Sequence, residues 1–281
     1  MRRLSASELS SVKWSFFQDT VRYSLIGFES IGLWRHKLEE HDREEVADML
    51  HEMKLSVSSV GWAGGFTGSD GMTFAEAIED TVEAIQLAGT VGAQCVILNT
   101  GSRNGHTRNH ARRLLSSALD ELLPVAADYD VRLSIEPVPP CAASASTVFD
   151  NVREAVNFVT CYTPDQLGLV LDLCHVGTDK RVFDNLSRLI PWVSLVQVAD
   201  CRTVDGARFR CTPGTGDVPI EDWLFSLQQH GFRGPLEIEV HSTPDGRHDY
   251  FDRLSRNHEL LTRKLSRIGR QKAPTGRLAN E

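Results

Sequence analysis

The chain alternates short runs of apolar and β-branched residues with longer segments in which apolar residues recur at helical spacing. This alternation is typical of parallel strands that are connected by helices. The pattern predicts eight strands, and most of them are nearly continuous apolar runs, as expected for a sheet that is buried on both faces. The predicted strands cover residues 10–13, 28–34, 55–60, 95–100, 132–136, 167–173, 195–199 and 235–240.

The segments between the strands carry apolar side chains on one helical face. In one of them Ile78, Val82 and Ile85 recur at this spacing, and Thr73 with Glu76 forms a candidate capping box in front of them. Each such helix can cover one stretch of the sheet. The other segments with this spacing contain Val46, Met49, Leu50 and Met53; Leu115, Leu119 and Leu122; Val152, Val156 and Val159; and Leu254, Leu261, Leu265 and Ile268.

Eight successive strand–helix units predict an α/β protein with a single (β/α)8 TIM barrel. The length of 281 residues agrees with this fold, which typically needs about 250 residues. A doubly wound sheet fits less well, because no GxGxxG motif follows any predicted strand. We therefore expect one catalytic barrel domain over residues 1–268, followed by a flexible polar tail over residues 269–281.

Composition and charge narrow the classes of function. The 41% hydrophobic and 24% charged residues are typical of globular proteins, and the formal net charge of −8 disfavours nucleic acid as a partner. No stretch approaches the roughly 18 apolar residues that span a membrane, and the N-terminus lacks the apolar core of a signal peptide. We expect a cytoplasmic protein with no membrane partner, whose six cysteines, none in a CxxC pair, are reduced thiols.

Polar residues follow or end four of the predicted apolar strands. They are Glu136, Asp172, Gln197 and Glu239, and His175 lies three residues after Asp172. Each of them alone could be structural, for example by capping the next helix. In a barrel, however, these positions converge on one mouth, where three carboxylates would repel each other unless they were paired or bound to a cation. The arrangement therefore predicts a divalent metal site.

The types of ligand indicate which metal is expected. Carboxylate and amide oxygens favour Mn²⁺ or Mg²⁺, whereas an added imidazole would shift the preference toward Zn²⁺ or Co²⁺. The chain has no CxxC or HExxH motif, which disfavours a thiolate site or a zincin. One Mn²⁺ or Mg²⁺ ion is the expected cofactor, with Zn²⁺ or Co²⁺ as the alternative.

Loops at the same mouth supply candidate substrate-binding residues. Arg202 and Arg210 follow the seventh predicted strand and could bind an anionic or polyhydroxylated substrate, although surface arginines also serve solubility. Trp34, Trp62 and His106 lie near the ends of the second, third and fourth strands. They could contact a sugar face, or they could pack against the barrel. No phosphate-binding GxxxxGK motif is present, so the sequence gives no support for a phosphorylated substrate.

Five segments resemble blocks of the xylose-isomerase-like sugar isomerase/epimerase superfamily, and the resemblance extends over residues 12–265, nearly the whole chain. The superfamily includes inosose isomerases, hydroxypyruvate isomerases, ketose 3-epimerases and 3-dehydroshikimate dehydratases. It implies a (β/α)8 barrel fold. The segments are SIEPV (134–138), LDLCH (171–175), LVQVAD (195–200), PGTGDVP (213–219) and GPLEIEV (234–240).

The resemblance also implies roles for individual residues. It identifies Glu136, Asp172, Gln197 and Glu239 as metal ligands, and Glu136 and Glu239 also as the pair that removes and returns a proton. His175 would hydrogen-bond a substrate oxygen. Gln197 departs from the ketose epimerases, which generally have His there. Hydroxypyruvate isomerases and 3-dehydroshikimate dehydratases can have Gln at that position.

Two reactions remain open for a small sugar-like substrate. The first is isomerisation or epimerisation of an unphosphorylated sugar, inosose or similar hydroxy-carbonyl compound through a metal-stabilised enediolate. The alternative is a lyase or dehydratase that eliminates a β-oxygen from a keto-sugar or 3-dehydroshikimate-like substrate. Abasic-site endonucleases of the superfamily are disfavoured by the acidic charge, and an inactive binding barrel by the four oxygen donors. A homo-oligomer is compatible with the sequence but is not required by it.

Overall fold

The computed structural model describes residues 4–138, 147–204, 207–240 and 249–270 of the chain. In this part, eight parallel strands form a closed barrel, and two further strands form a separate antiparallel hairpin. In chain order the strands are β1 (Leu4–Ser7), β2 (Ser30–Trp34), β3 (Ser56–Gly64), β4 (Val96–Asn99), β5 (Leu133–Ile135), β6 (Leu167–Asp172), β7 (Val193–Val198), β8 (Asp200–Val204), β9 (Ala207–Cys211) and β10 (Leu236–Ile238).

Helices connect the strands and cover the outside of the barrel. Short 3-10 helices at Glu8–Ser11, Arg35–Leu38 and Ile190–Trp192 accompany them. The α-helices are α1 (Phe16–Ile26), α2 (Arg43–Glu52), α3 (Phe74–Val91), α4 (Arg108–Asp128), α5 (Val152–Val159), α6 (Leu173–Val176), α7 (Lys180–Asp184), α8 (Leu186–Leu189), α9 (Ile220–Gln229) and α10 (Tyr250–Arg270).

The barrel closes in sequence order, with β1 to β7 as successive neighbours and β10 between β7 and β1. Its strands are buried on both faces, as the apolar runs predicted; every residue of β6 and β7, for example, is buried. All the pairings within the barrel are parallel, so the C-terminal ends of the strands meet at one mouth. The predicted α/β class and single (β/α)8 barrel are confirmed.

The position predicted for the first strand is wrong. The structure places β1 at Leu4–Ser7, and residues 10–13 lie in the 3-10 helix Glu8–Ser11 and the turn after it. Serines alternate with apolar residues in β1, and the Ser5 hydroxyl lies inside the barrel, 2.6 Å from that of Ser58. The Ser7 hydroxyl accepts from Leu9 N and begins the 3-10 helix. The apolar pattern did not identify β1 because the hydrogen-bonded pair Ser5 and Ser58 takes the place of the apolar side chains that usually pack there.

The other seven predicted strands each overlap an observed strand. The capping box in front of α3 is present, with Thr73 Oγ1 accepting from Glu76 N and the Glu76 carboxylate accepting from Thr73 N. Helix α10 continues to Arg270, beyond the predicted domain boundary. The rest of the predicted tail lies outside the described residues.

The loop after β7 is more ordered than the sequence indicated. Strands β8 and β9 form an antiparallel hairpin in which Asp200 pairs with Cys211 and Arg202 with Phe209. Because its residues are mostly polar and alternate irregularly, the sequence did not identify it as strands. The hairpin extends from the end of β7 and carries Arg210, one of the predicted substrate-binding residues.

Buried apolar side chains form one large core between the barrel and its helices. Five cysteines are free thiols, as predicted; the sixth, Cys141, lies outside the described residues. Within the ranges given above, none of the helices combines the length and the apolarity that a membrane crossing requires.

Candidate active site

The four predicted metal ligands lie at the same mouth of the barrel. Glu136 follows β5, Asp172 is the last residue of β6, and Glu239 follows β10. Gln197 is in β7, where it is paired in register with Asp172 on one side and with Glu237 on the other. Parallel strand ends therefore bring together Glu136 and Glu239, which are more than a hundred positions apart in the sequence.

Glu136, Asp172 and His175 form a compact group at this mouth. Each offers a ligand atom, and these atoms lie within 4.8 Å of one another, so the group could hold a metal ion. His175 Nδ1 is 3.1 Å from Glu136 Oε1 and 3.3 Å from Asp172 Oδ2. Helix α6 begins directly after Asp172, and its first turn directs His175 back toward the carboxylate that precedes the helix.

Arg210 joins this group to Glu239. Its guanidinium forms an ion pair with Asp172 Oδ2 and lies 3.2 Å from Glu239 Oε1, and Nη1 donates to the backbone carbonyl of Glu239. The Arg210 side chain is only 11% exposed. The hairpin thus places a buried cation between two of the predicted ligands, where it also could contact a substrate oxygen.

Gln197 completes the arrangement from the β7 side. Its amide nitrogen Nε2 donates to Glu239 Oε2 at 2.6 Å and to Glu237 Oε1 at 3.2 Å. Its carbonyl oxygen Oε1 is buried and has no hydrogen-bond partner among the described residues. A buried carbonyl oxygen that lacks a donor is suited to bind a cation.

The charges in this group shift one another's pKa values. Burial raises the pKa of Glu136, against the opposing effect of His175. Burial alone would raise the pKa of Asp172 too, but the Arg210 and His175 charges outweigh it and hold that pKa below its usual value. Burial disfavours the imidazolium of His175, yet Asp172 and Glu136 raise its pKa to about 9. Without a cation these carboxylates therefore favour the charged imidazole, whereas a cation bound to the same carboxylates would favour its neutral form.

The donor set fits a divalent cation. The carboxylates of Glu136, Asp172 and Glu239 and the amide oxygen of Gln197 are hard oxygen donors, which Mg²⁺ and Mn²⁺ prefer. The observation that most directly supports the fit is Gln197 Oε1, which is buried and has no donor within the described ranges. The imidazole of His175 adjoins the same group and could extend the preference to Zn²⁺.

Two of the predicted substrate-binding aromatics line the mouth. Trp34 and Trp62 border the cavity there together with Gln197, Glu237 and Glu239. The same two tryptophans border an adjoining groove of about 650 Å³ between the barrel and α2 and α3. The Trp62 side chain is partly exposed, at 38%. Two aromatic side chains thus border the cavity beside Gln197 and Glu239.

The other predicted substrate contacts lie elsewhere. Arg202 is exposed on the hairpin, and its Nε donates to Thr215 O. The His106 ring packs against that of His110, with centroids 4.7 Å apart, at the start of α4. Neither residue borders the mouth cavity in the described ranges. Their role in substrate binding stays a prediction.

Sequence reasoning missed the role of Asp200. Its carboxylate accepts hydrogen bonds from the backbone N–H groups of Cys201, Gly214, Gly216 and Val218, all between 2.8 and 2.9 Å. This single buried side chain ties the start of the hairpin to the PGTG turn that follows β9. Because this turn directly follows β9, it also fixes the position from which Arg210 reaches the site. The signal available in the sequence was an acidic residue, Asp200, in the same loop as the later Pro213–Gly214 turn, whose backbone N–H groups it could bind.

Removal of the Asp200 carboxylate should loosen the hairpin. We expect Asp200→Ala to lower the free energy of unfolding by about 3 kcal/mol, because buried N–H donors lose a charged acceptor. Chemical denaturation monitored by circular dichroism measures this loss. Asp217→Ala is the matched control, since the Asp217 carboxylate accepts one longer, exposed hydrogen bond, from Thr203 N. Equal stability of the two variants would contradict this role of Asp200.

A second buried polar cluster, also missed, supports the mouth at β1 and β2. Glu8 Oε2 accepts from Trp34 N at 2.7 Å, and Lys37 forms a buried ion pair with Asp19 while donating to the Glu8 carbonyl. Ser11 donates to Asp19 Oδ1 at 2.7 Å. These contacts hold the end of β2, and with it the backbone of Trp34, against the first helical turn.

Comparisons with known proteins agree with the fold. The sequence model of a family described as xylose isomerase-like TIM barrel matches residues 22–262. Over 142 residues the chain is 24% identical to a probable endonuclease 4 from Acholeplasma laidlawii (strain PG-8A). That match covers 47% of this chain and 47% of the relative, so the chain spans about half the length of the curated protein it matches.

Solved structures resemble the whole barrel. An IolI protein with a bound zinc atom superposes with a TM-score of 0.79 at 17% identity, covering 95% of this chain and 99% of that one. A D-allulose 3-epimerase from Methylomonas sp. gives a TM-score of 0.75 at 19% identity, covering 94% and 99%. At such identities the likeness establishes the fold alone. The family match is the stronger finding, and because it runs from within α1 to within α10, the chain belongs to the xylose isomerase-like TIM barrel family.

Proposed function

We propose that this protein is a divalent-metal-dependent isomerase or epimerase of an unphosphorylated sugar, inosose or similar hydroxy-carbonyl compound. The observation that carries the proposal is the convergence of Glu136, Asp172, Gln197 and Glu239 at one mouth, where the buried Gln197 carbonyl oxygen has no hydrogen-bond partner in the part of the chain that the structure describes. Epimerases of D-allulose and L-ribulose share the fold, which makes sugar chemistry the first class to test.

Glu136, Asp172, Gln197 and Glu239 would hold the metal, with Mn²⁺ or Mg²⁺ as the expected ion and Zn²⁺ or Co²⁺ as alternatives. A bound divalent ion supplies a Lewis acid that polarises a substrate carbonyl and makes the neighbouring C–H more acidic. An IolI protein of the same fold binds zinc, which supports the choice of a divalent ion.

Glu136 and Glu239 would handle the proton. In this proposal one carboxylate removes the proton next to the substrate carbonyl, and the other, in its protonated form, donates a proton to the resulting enediolate, as paired carboxyl groups do in acid–base catalysis. Asp172 stays ionised beside Arg210 and His175, so it is suited to bind rather than to transfer a proton. His175 and Arg210 would hold substrate oxygens, and Trp34 and Trp62 would contact the carbon skeleton.

Elimination is the second candidate reaction. The same carboxylates could remove the proton and a β-oxygen could then leave, which would make the protein a lyase or dehydratase. The observation that favours this alternative is Gln197, since 3-dehydroshikimate dehydratases resembled by the sequence can have Gln at this position. A neutral amide at the third position is compatible with either reaction, so only the product distinguishes them.

Solvent exchange tests both reactions. The protein is loaded with Mn²⁺ and incubated in deuterated water with a panel of ketoses, inososes and 3-oxo-sugars, and the products are followed by NMR. We expect deuterium at a carbon next to the carbonyl with all oxygens retained if the protein is an isomerase. Loss of an oxygen would instead identify the lyase. No exchange with any compound of the panel would contradict both proposals.

Metal content is the independent measurement. Elemental analysis of the protein after exposure to Mn²⁺ and gel filtration should find about one divalent ion per chain. Protein that retains none at micromolar Mn²⁺ would contradict the proposed metal dependence irrespective of the substrate panel.

A further inference from the structure

A layer of polar side chains fills the barrel interior next to the candidate metal ligands, where apolar residues are usual. Its centre is Glu237, which is 1% exposed and lies two residues before Glu239 on β10. Ser58 and Ser59 of β3 donate to Glu237 Oε2 at 2.6 and 2.8 Å. Burial of a carboxyl group is unfavourable unless hydrogen bonds compensate for the lost water, and the two serines supply part of this compensation.

The space for the Glu237 side chain inside the barrel depends on a glycine in the neighbouring part of the sheet. Gly32 of β2 faces the Glu237 carboxyl group so closely that a Cβ at position 32 would lie 2.3 Å from Glu237 Oε2. No other residue could therefore occupy position 32 without displacing the carboxyl group. Ser5 of β1 extends the hydrogen-bonded layer through Ser58, at 2.6 Å. Residues of neighbouring strands thus fix the orientation of one carboxyl group, which reaches the candidate site through Gln197.

The contact between Glu237 and the candidate site is a hydrogen bond from the Gln197 amide. Gln197 Nε2 carries two protons, and its two acceptors are Glu239 Oε2 and Glu237 Oε1. A carboxylate accepts hydrogen bonds and an amide carbonyl cannot donate one, so these contacts determine which end of the amide faces each carboxylate. The carbonyl oxygen Oε1 is then left without a donor among the described residues, buried at the mouth.

The two acceptors differ in what else they must do. Glu239 lies 3.2 Å from Arg210 and, in the proposed reaction, also binds the metal and transfers a proton. Its carboxylate is therefore shared. Glu237 is held by Ser58 and Ser59 and has no such second task, so it can retain the amide when Glu239 turns toward a ligand.

We propose that Glu237 is a positioning residue that holds the Gln197 amide with its carbonyl oxygen toward the metal, an inference that rests on the metal-binding function proposed above. It acts through Gln197 and does not itself bind the ion. Partners of this kind behind a metal ligand typically change metal affinity by 10–100-fold when they are removed.

Mn²⁺ affinity of the full chain tests the inference. Isothermal titration with Mn²⁺ alone, after treatment with a chelator, compares the wild type with Glu237→Met and Glu237→Gln. We expect Glu237→Met to weaken binding by about 10–100-fold, because the amide loses its dedicated acceptor. Glu237→Gln should stay within about 3-fold of the wild type, since its carbonyl oxygen can still accept from Gln197.

Two controls separate positioning from a general loss of structure. Ser30→Ala removes a hydrogen bond that a buried barrel serine donates to Ser56 O and not to Glu237, and it should bind Mn²⁺ within about 3-fold of the wild type. In the Gln197→Ala background, Glu237→Met should cause no further loss of affinity, because the residue through which Glu237 acts is gone. Melting curves of the metal-free variants verify that each one folds.

The outcomes distinguish this inference from the proposed function. If the wild type binds Mn²⁺ and Glu237→Met binds it equally well, Glu237 does not position Gln197 and the metal proposal stands. The positioning role is likewise wrong, and the metal proposal intact, if Glu237→Met weakens binding equally with and without Gln197. If the wild type binds no Mn²⁺, the metal proposal and the positioning role are both wrong.

Discussion

Replacing Glu239 with Gln is expected to reduce solvent exchange into the substrate by about 10²–10⁴-fold, the range by which a positioned acid–base group accelerates proton transfer. The substitution keeps the size of the side chain but removes its charge and its ability to take up a proton at neutral pH. It also removes an anionic acceptor of Gln197 Nε2 and a partner of Arg210. The rate of deuterium incorporation, measured by NMR with a ketose or inosose that the wild type exchanges, gives the effect.

The metal dependence of that loss separates the two tasks assigned to Glu239. If Glu239 only binds the ion, saturating Mn²⁺ should restore exchange; if it also transfers the proton, exchange should remain slow at any concentration. Glu259→Gln is the matched control, because the Glu259 carboxylate forms an exposed ion pair with Arg263 on α10. Exchange by Glu239→Gln at the wild-type rate would remove Glu239 from the mechanism.

The second large effect is expected from Arg210→Met. In metal-free protein at neutral pH, this change should lower the free energy of unfolding by about 3–5 kcal/mol, the usual penalty for breaking a buried ion pair by removal of one partner. Asp172 and Glu239 would remain buried without the guanidinium that pairs with both. Denaturant unfolding after treatment with a chelator measures the loss, and added Mn²⁺ should restore part of it by compensating the same carboxylates.

The pH dependence of this loss follows from the lowered pKa of Asp172. Burial opposes ionisation of Asp172, but the charges of Arg210 and His175 hold its pKa below the ordinary value. The stability contributed by this group is therefore present above the ordinary carboxyl pKa and is lost as the pH falls through the lowered value. The difference between the wild type and Arg210→Met should accordingly shrink toward acid pH.

Arg202→Met is the control for Arg210→Met, because it removes an arginine from the same hairpin that is exposed and donates to Thr215 O. We expect a change in stability of less than about 1 kcal/mol. Equal losses for the two variants, or a loss for Arg210→Met that does not depend on pH, would show that the ion pair with Asp172 is not the cause.

Much of the fold could be predicted from the sequence because each strand–helix unit carries its own signal. Apolar runs buried on both faces identified seven barrel strands, and helical spacing identified α2 to α5 and α10. Strand β1 was placed wrongly because Ser5 and Ser7 interrupt its apolar pattern, and their compensating contacts come from distant parts of the chain or from the next turn. The hairpin was missed because its polar residues are ordered by Asp200 and not by burial of an apolar face.

The candidate site was partly predictable from the positions of the predicted strands. Parallel strands of a barrel end at one mouth, so the position of a polar residue at the end of an apolar strand predicts where its side chain lies. This argument brought Glu136, Asp172, Gln197 and Glu239 together. It could not give the partners of each one, because those depend on which side chains face each other across strands, and a strand's own sequence does not contain that information.

The sequence by itself determined the barrel, its order of strands and the convergence of Glu136, Asp172, Gln197 and Glu239 at its mouth, since these follow from periodicity and from the rule that parallel strand ends converge. Only the tertiary structure decided how those groups pair. Arg210 reaches Asp172 because the hairpin folds back over the mouth, and Glu237 reaches Gln197 because Gly32, Ser58 and Ser59 leave room for a carboxyl group and bind it. The strength of a hydrogen bond or an ion pair changes when the distance between its atoms changes by a few tenths of an ångström, and packing of the whole barrel sets that distance.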